Sequence, residues 1–143
     1  MANASDRISR ERRVAIAELA EHIATTRFGG ERVQPEEIAA QEGIEFRYES
    51  FPEDFDGILL HEQGKFYVVC NERRGGVRGS ARIRFTFAHE LGHYFLDEHR
   101  LALCSGKIPP HFSLAEFISD QPIEAEADLF AAILLMPAKA FRR

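Results

Sequence analysis

The sequence predicts a single α+β domain that combines N-terminal helices, a small sheet, a core helix and a final helix. Residues 83–96 are apolar on nearly every side, which is typical of a helix that runs through a core. Upstream, from residue 44, the hydrophobic period changes from helical spacing to strict alternation, which indicates strands. The chain has 143 residues, of which 45% are hydrophobic, so it is long enough to bury one core. We expect residues 1–8 to be a flexible N-terminus and residues 9–143 to form the domain.

Two helices are predicted before the sheet. Ser9 can cap a helix whose apolar positions recur at intervals of three and four residues, and Gly29-Gly30 ends it. Pro35 is suited to the first position of a second, shorter helix, which Gly43 stops. We interpret both helices as scaffold.

The sheet is predicted to have three mostly antiparallel strands. Residues 44–48 alternate between apolar and charged side chains, as a half-buried strand does. Residues 57–60 and 65–70 are two further β-prone runs, joined by a turn at Gln63-Gly64. We expect the apolar face of this sheet to cover the core helix, with Cys70 as a small buried hydrophobe rather than a metal ligand.

The core helix contains the pentad His89-Glu90-Leu91-Gly92-His93, an HExxH motif. On a helix, His89 and His93 lie on one face, and both imidazoles can reach one zinc ion at about 2.0–2.1 Å. Glu90 is then beside the open coordination position, where a carboxylate can take a proton from water that the ion has made more acidic. The alternative is that the histidines only satisfy backbone carbonyls inside a buried helix. Gly92 indicates close approach of another backbone or of a substrate.

A third ligand is expected from the final helix, residues 123–136, which Pro137 terminates. On a helical wheel Glu124 and Asp128 lie together along one margin of the buried stripe, whereas Glu126 lies alone on the other margin. The pairing favours Glu124 as the ligand and Asp128 as the acceptor of a hydrogen bond from a ligand histidine. The wheel separates Glu124 from Glu126 only weakly, and all three acids could instead solvate an exposed helix face.

Two histidines and one glutamate leave one position of a tetrahedral zinc ion open, which is the catalytic arrangement rather than the structural one. The same ligands also accept Mn²⁺ or Fe²⁺. Residues 101–118 show little periodicity and are predicted to form a long connection that could cover the cleft as a lid. His99 and His111 are candidates for a donor that stabilises an oxyanion, with a surface or supporting position as the alternative.

The motifs in residues 84–94 and 124–137 together resemble the ImmA/IrrE family of gluzincin-like metallopeptidases. The resemblance implies a zincin-like fold and specific residue roles. The implied zinc ligands are His89, His93 and Glu124, the implied general base and proton shuttle is Glu90, and the implied residue that orients a ligand histidine is Asp128.

The resemblance also implies a substrate class. Family members look like site-specific proteases that cleave a helix-turn-helix repressor and so switch on genes of mobile elements, stress responses or toxin–antitoxin systems. The expected function is therefore zinc-dependent hydrolysis of a peptide bond in a bacterial protein regulator. If the loop of residues 101–118 covers the cleft, the activity would stay latent until a signal moves it. The alternative is a non-catalytic zinc-containing module that sequesters a repressor or serves as one half of a toxin–antitoxin pair.

Composition and net charge narrow the expected partners and the expected cellular compartment. The net charge of −5 disfavours direct nucleic-acid binding, so we expect a repressor protein as the partner. The two cysteines, Cys70 and Cys104, are too few for a disulfide framework, and no secretion signal is recognised, so we expect a cytoplasmic protein. No apolar run approaches the roughly 20 residues that span a bilayer.

Overall fold

The computed structural model describes residues 8–75, 80–105, 111–113 and 122–136. Within these residues six helices and four strands follow one another along the chain. In order they are α1 (Arg10–Phe28), α2 (Pro35–Glu42), β1 (Glu45–Glu49), β2 (Gly57–Glu62), β3 (Lys65–Asn71), α3 (Glu72–Gly75), α4 (Ala81–Phe95), α5 (Asp97–Cys104), β4 (His111–Ser113) and α6 (Pro122–Leu135). The predicted α+β class is confirmed. The prediction of a flexible segment at residues 1–8 falls almost wholly outside the described residues.

The first two helices begin and end where the sequence predicts. The Ser9 side chain accepts a hydrogen bond from the backbone N–H of Arg12 at 3.1 Å and so caps α1. Gly29 ends α1 with a left-handed backbone, φ 59°, and Gly43 ends α2 in the same way with φ 75°. Pro35 is the first residue of α2.

The sheet contains the three predicted strands and a fourth, in the order β1-β3-β2-β4. Strand β2 pairs antiparallel with β3 and with β4, whereas β1 pairs parallel with β3, so the sheet is mixed. Gln63 and Gly64 join β2 to β3 with φ angles of 51° and 77°, the two positive values that a type I′ hairpin turn requires. The predicted turn is confirmed, and the three-residue strand β4 is an addition to the prediction.

Helix α4 lies between the sheet and α6. Its N-terminus is capped by Ser80, whose side chain accepts from the N–H of Ile83 at 3.2 Å. On the sheet side, the ring of Phe46 from β1 stacks on Phe87, with centroids 3.7 Å apart. The apolar face of the sheet therefore covers the core helix, as predicted.

Close packing of α4 on α6 depends on Gly92. A Cβ atom at this position would lie 3.2 Å from both the Cα and the carbonyl oxygen of Ala127, and 3.3 Å from the ring of Phe130. The glycine thus allows the two helix backbones to approach, which is one of the two explanations that the sequence suggests. The predicted end of the final helix at Pro137 lies outside the described residues.

Two short helices, α3 and α5, are additions to the prediction, and α5 includes residues 101–104 of the predicted long connection. The chain turns into α5 directly after Leu96, and this helix buries His99 and Leu103, four residues apart on one face. Helix α3 occupies the four residues that directly follow β3. None of the described helices is both long enough and apolar enough to cross a membrane.

Candidate metal centre

Helix α4 brings the two histidines of the HExxH motif together. Four residues apart on one face, His89 and His93 have ring centroids 4.8 Å apart, and their Nε2 atoms are 3.2 Å from each other. The two residues are only 5% and 1% exposed. Two imidazole nitrogens therefore face a common point in the interior.

The third group comes from α6. One carboxylate oxygen of Glu124 is 2.9 Å from Nε2 of His89, and the other is 3.1 Å from Nε2 of His93. The possible ligand atoms of these three residues all lie within 4.8 Å of one another, and no other residues in the described ranges form such a cluster. Glu126, the alternative that the helical wheel leaves open, points elsewhere.

This donor set fits a tetrahedral zinc ion. Two ligands at about 2.0–2.1 Å from an ion, separated by the tetrahedral angle, are about 3.4 Å apart. The two Nε2 atoms are 3.2 Å apart, and a different Glu124 oxygen approaches each of them at 2.9 and 3.1 Å, so all three separations are slightly shorter than this value. A small outward adjustment of the side chains would therefore accommodate the ion, with one position left open.

Asp128 supports the first histidine. Its carboxylate oxygen is 2.7 Å from Nδ1 of His89, and because an ionised carboxylate only accepts, Nδ1 must carry the proton. Nε2 of His89 is then the atom that can bind a metal. The predicted partner of the ligand histidine is therefore present in the structure.

His99 supports the second histidine. Its Nδ1 is 3.0 Å from Nδ1 of His93, and its Nε2 is 2.8 Å from a carboxylate oxygen of Glu126. Arg12 of α1 holds the same carboxylate with two hydrogen bonds of 3.0 Å each. Both ring nitrogens of His99 are therefore engaged by other side chains, and its role as an oxyanion donor stays a prediction.

The other candidate oxyanion donor, His111, is the first residue of β4, where its backbone pairs with Leu59. Its side chain lies outside the described part of the structure, so its role stays a prediction.

Burial and charge set the protonation of the metal-free centre. Burial lowers the pKa of His89, but hydrogen bonds with Asp128 and Glu124 outweigh this effect and raise the pKa to about 10. Burial lowers the pKa of His93 to about 3. One proton is therefore held between two imidazoles and a carboxylate, and a metal ion must displace it to bind.

Two further titratable groups, the Glu126 carboxyl and the Cys70 thiol, have pKa values that shift in opposite directions. Burial raises the pKa of Glu126, but hydrogen bonds from Arg12 and His99 outweigh it and lower the pKa, so this carboxylate stays ionised. Burial is also the main cause of the raised pKa of the Cys70 thiol. Cys70 is fully buried as a neutral thiol, as expected of a small hydrophobe.

Glu90 lies at the contact of α4 with β2. Its side chain is fully buried, and a Cβ atom built at Gly57 of β2 would lie 3.7 Å from the Glu90 Cγ and 2.6 Å from the Cγ2 of Thr86. Only a glycine leaves room for Thr86 at this point. The first residue of β2 therefore borders the predicted general base.

The link from His93 through His99 and Glu126 to Arg12 has no counterpart in the sequence prediction. Arg12 and Glu126 are separated by 114 residues, and no local spacing relates them. The only signal in the sequence is that Glu126 lies on the opposite margin of α6 from Glu124. An acid on that margin can contact a different partner from the one that Glu124 contacts.

Comparisons with known proteins support this reading of the motifs. No curated protein sequence matches the chain. The family model of the IrrE N-terminal-like domain, Peptidase M78, matches residues 78–143. The matched segment contains the HExxH motif and the glutamate-bearing helix, and the match confirms that this chain resembles the ImmA/IrrE family of metallopeptidases.

Proposed function

We propose that the chain is a zinc-dependent peptidase that hydrolyses a peptide bond in a protein regulator. The observation that carries the proposal is the convergence of His89, His93 and Glu124, with Glu90 adjacent on α4. A zinc ion held by these three residues would polarise the scissile carbonyl and increase the acidity of water. Mn²⁺ or Fe²⁺ could occupy the same donor set.

Glu90 would move the proton in this reaction. Its carboxylate takes a proton from the attacking water as the new bond to the carbonyl carbon forms, and returns it to the nitrogen as the C–N bond breaks. The products are a carboxylate and an amine, so no other reactant is needed. The general-base role accounts for a glutamate beside His89 at a buried position.

Burial of the centre supports latent activity. Glu90 is 0% exposed, and the two histidines are nearly as inaccessible, so a peptide chain cannot reach them without some movement of the surrounding protein. We therefore include in the proposal an opening step that precedes cleavage.

The proposed substrate is a helix-turn-helix repressor. This part of the proposal rests on the family resemblance, since ImmA/IrrE members resemble proteases that cleave such regulators. The negative net charge supports action through a protein partner rather than through direct contact with DNA.

The experiment compares the wild-type chain with Glu90→Gln and Glu124→Ala in cells that express each variant. New protein N-termini are identified by chemical labelling and mass spectrometry. We expect a new N-terminus within a repressor for the wild type alone. We also expect Glu90→Gln to bind zinc and to cleave about 10²- to 10⁴-fold more slowly, because it lacks the general base.

A Glu90→Gln variant that cuts as fast as the wild type would contradict the mechanism. If the wild type binds zinc and captures a repressor but produces no new N-terminus, the alternative of a non-catalytic binding module replaces the peptidase proposal. Glu124→Ala is the control for metal loss, since it removes a ligand and leaves Glu90 in place.

A further inference from the structure

We infer that Arg12, Glu126 and His99 form a positioning relay that holds His93 in the orientation and tautomer needed to bind a metal ion. The inference rests on the proposed metal centre but not on peptidase activity. The observation behind it is a continuous series of contacts from α1 through α6 and α5 to α4, with atom separations of 2.8 to 3.0 Å.

The donors and acceptors in this series all point the same way. The guanidinium of Arg12 has only donors, and its Nε and Nη2 contact the two carboxylate oxygens of Glu126. The carboxylate has only acceptors, so Nε2 of His99 must donate to it. A neutral His99 then has a lone pair at Nδ1, which accepts from Nδ1 of His93.

The consequence for His93 is that its proton is placed on Nδ1, away from the centre. Its Nε2, directed at Glu124 and His89, is left with the lone pair that a metal requires. Asp128 acts on His89 in the same way through a single contact. Asp128 therefore holds His89 directly. Arg12 holds His93 through two intermediate side chains, those of Glu126 and His99.

The two supports differ in their surroundings. Asp128 lies near the surface, and its side chain is 47% exposed. The relay is largely enclosed, with His99 only 3% exposed and the side chain of Glu126 17% exposed. Because Arg12 belongs to α1, the packing of this helix on α6 contributes to the geometry of a ligand on α4.

The chain offers a matched control in Glu98. This acid also accepts a hydrogen bond from Nη2 of Arg12 at 3.0 Å, but its side chain is 70% exposed and it does not lie on the path from Arg12 through Glu126 and His99 to His93. Glu98→Gln therefore weakens an ion pair of the same arginine without changing the partners of His99. An exposed pair of this kind contributes little to stability.

The test measures the affinity of the full chain for Zn²⁺ by competition with a chromogenic chelator. His99→Phe keeps an aromatic ring but removes both nitrogens, and we expect it to bind zinc about 10- to 100-fold more weakly. His99→Gln keeps an oxygen that can accept from His93, so we expect it to recover part of the affinity. Glu98→Gln should bind zinc as tightly as the wild type.

Two further measurements distinguish positioning from general stability. The visible absorption of bound Co²⁺ reports the ligand geometry, and we expect it to change in His99→Phe but not in Glu98→Gln. Glu126→Ala, which removes the link to Arg12 and leaves His99 in place, should change zinc affinity in the same direction and provides the answer if His99→Phe does not fold.

Equal zinc affinity and unchanged Co²⁺ spectra in folded His99→Phe or Glu126→Ala would overturn the relay. A wild-type chain that binds zinc and captures a repressor but does not cleave it would refute the proposed function and leave the relay intact. The two failures are therefore distinguishable, since the relay is measured by metal binding alone.

Discussion

The contact between Gly57 of β2 and Thr86 of α4 allows a sharp test of how closely the sheet approaches the core helix. A Cβ atom at Gly57 would lie 2.6 Å from the Cγ2 of Thr86, well inside normal contact distance, and both residues are buried. The φ angle of Gly57 is not in the positive region, so an alanine meets a steric obstacle and no backbone strain.

The expected effect of Gly57→Ala is the difference of two terms. Overpacking in a core costs about 1–3 kcal/mol, whereas a less flexible unfolded chain contributes about 0.4–1 kcal/mol in the opposite direction. We expect a net loss of about 1–2 kcal/mol in the free energy of unfolding. Thr86→Ser removes the obstructing methyl group and should by itself cost about 1 kcal/mol.

The double variant Gly57→Ala/Thr86→Ser separates the steric contact between residues 57 and 86 from the independent effects of the two substitutions. With the methyl of Thr86 absent, the new methyl at residue 57 occupies the vacated space. The combined loss should therefore be smaller than the sum of the two single losses by about 1–2 kcal/mol. Urea unfolding of the four proteins, followed by circular dichroism in the presence of a chelator, measures this difference. Strict additivity, or a Gly57→Ala variant more stable than the wild type, would refute the close approach of β2 to α4.

Two other predictions concern the contact between α4 and α6 and the protonation of the metal centre. Gly92→Ala should destabilise the protein, because overpacking against the backbone of Ala127 at about 1–3 kcal/mol outweighs a gain in helix propensity of about 1 kcal/mol. Urea unfolding measures this change, and increased stability would contradict the close helix contact. The metal-free protein should lose stability as pH rises from about 6.5 toward 10. The pKa of His89 is raised on folding, so its protonated ring stabilises the fold fully below 6.5, and this contribution disappears as the ring deprotonates. Urea midpoints at pH 6 and pH 9.5 check this, with Asp128→Asn expected to reduce the difference; equal midpoints in the wild type would contradict it.

Local sequence was sufficient to predict the ends of most helices. Capping and termination depend on the residue itself and on its immediate neighbours, as the side chain of Ser9 and the left-handed backbone of Gly43 illustrate. The hairpin turn at Gln63-Gly64 is predictable for the same reason, since both residues adopt the positive φ angles of the turn.

Strand pairing was harder to predict from the sequence than the helix ends. The partner of β1 is β3 rather than the next strand in sequence, and which strands become neighbours depends on how the sheet packs on α4. Strand β4 has only three residues, too few to show an alternating pattern. Helix α5 was missed because its first residues are polar, and only the burial of His99 and Leu103 against the core reveals its apolar face.

The sequence by itself determined the donor types of the centre and the spacing that places His89 and His93 on one helix face. Only the tertiary structure decided which acid meets them. Residues two apart on a helix are separated by about 200°, so Glu124 and Glu126 point to nearly opposite sides of α6. The rotation of α6 against α4 directs Glu124 to the histidines and Glu126 to His99 and Arg12. Spacing reports which residues share a face, but the packing of helices far apart in sequence decides what that face contacts.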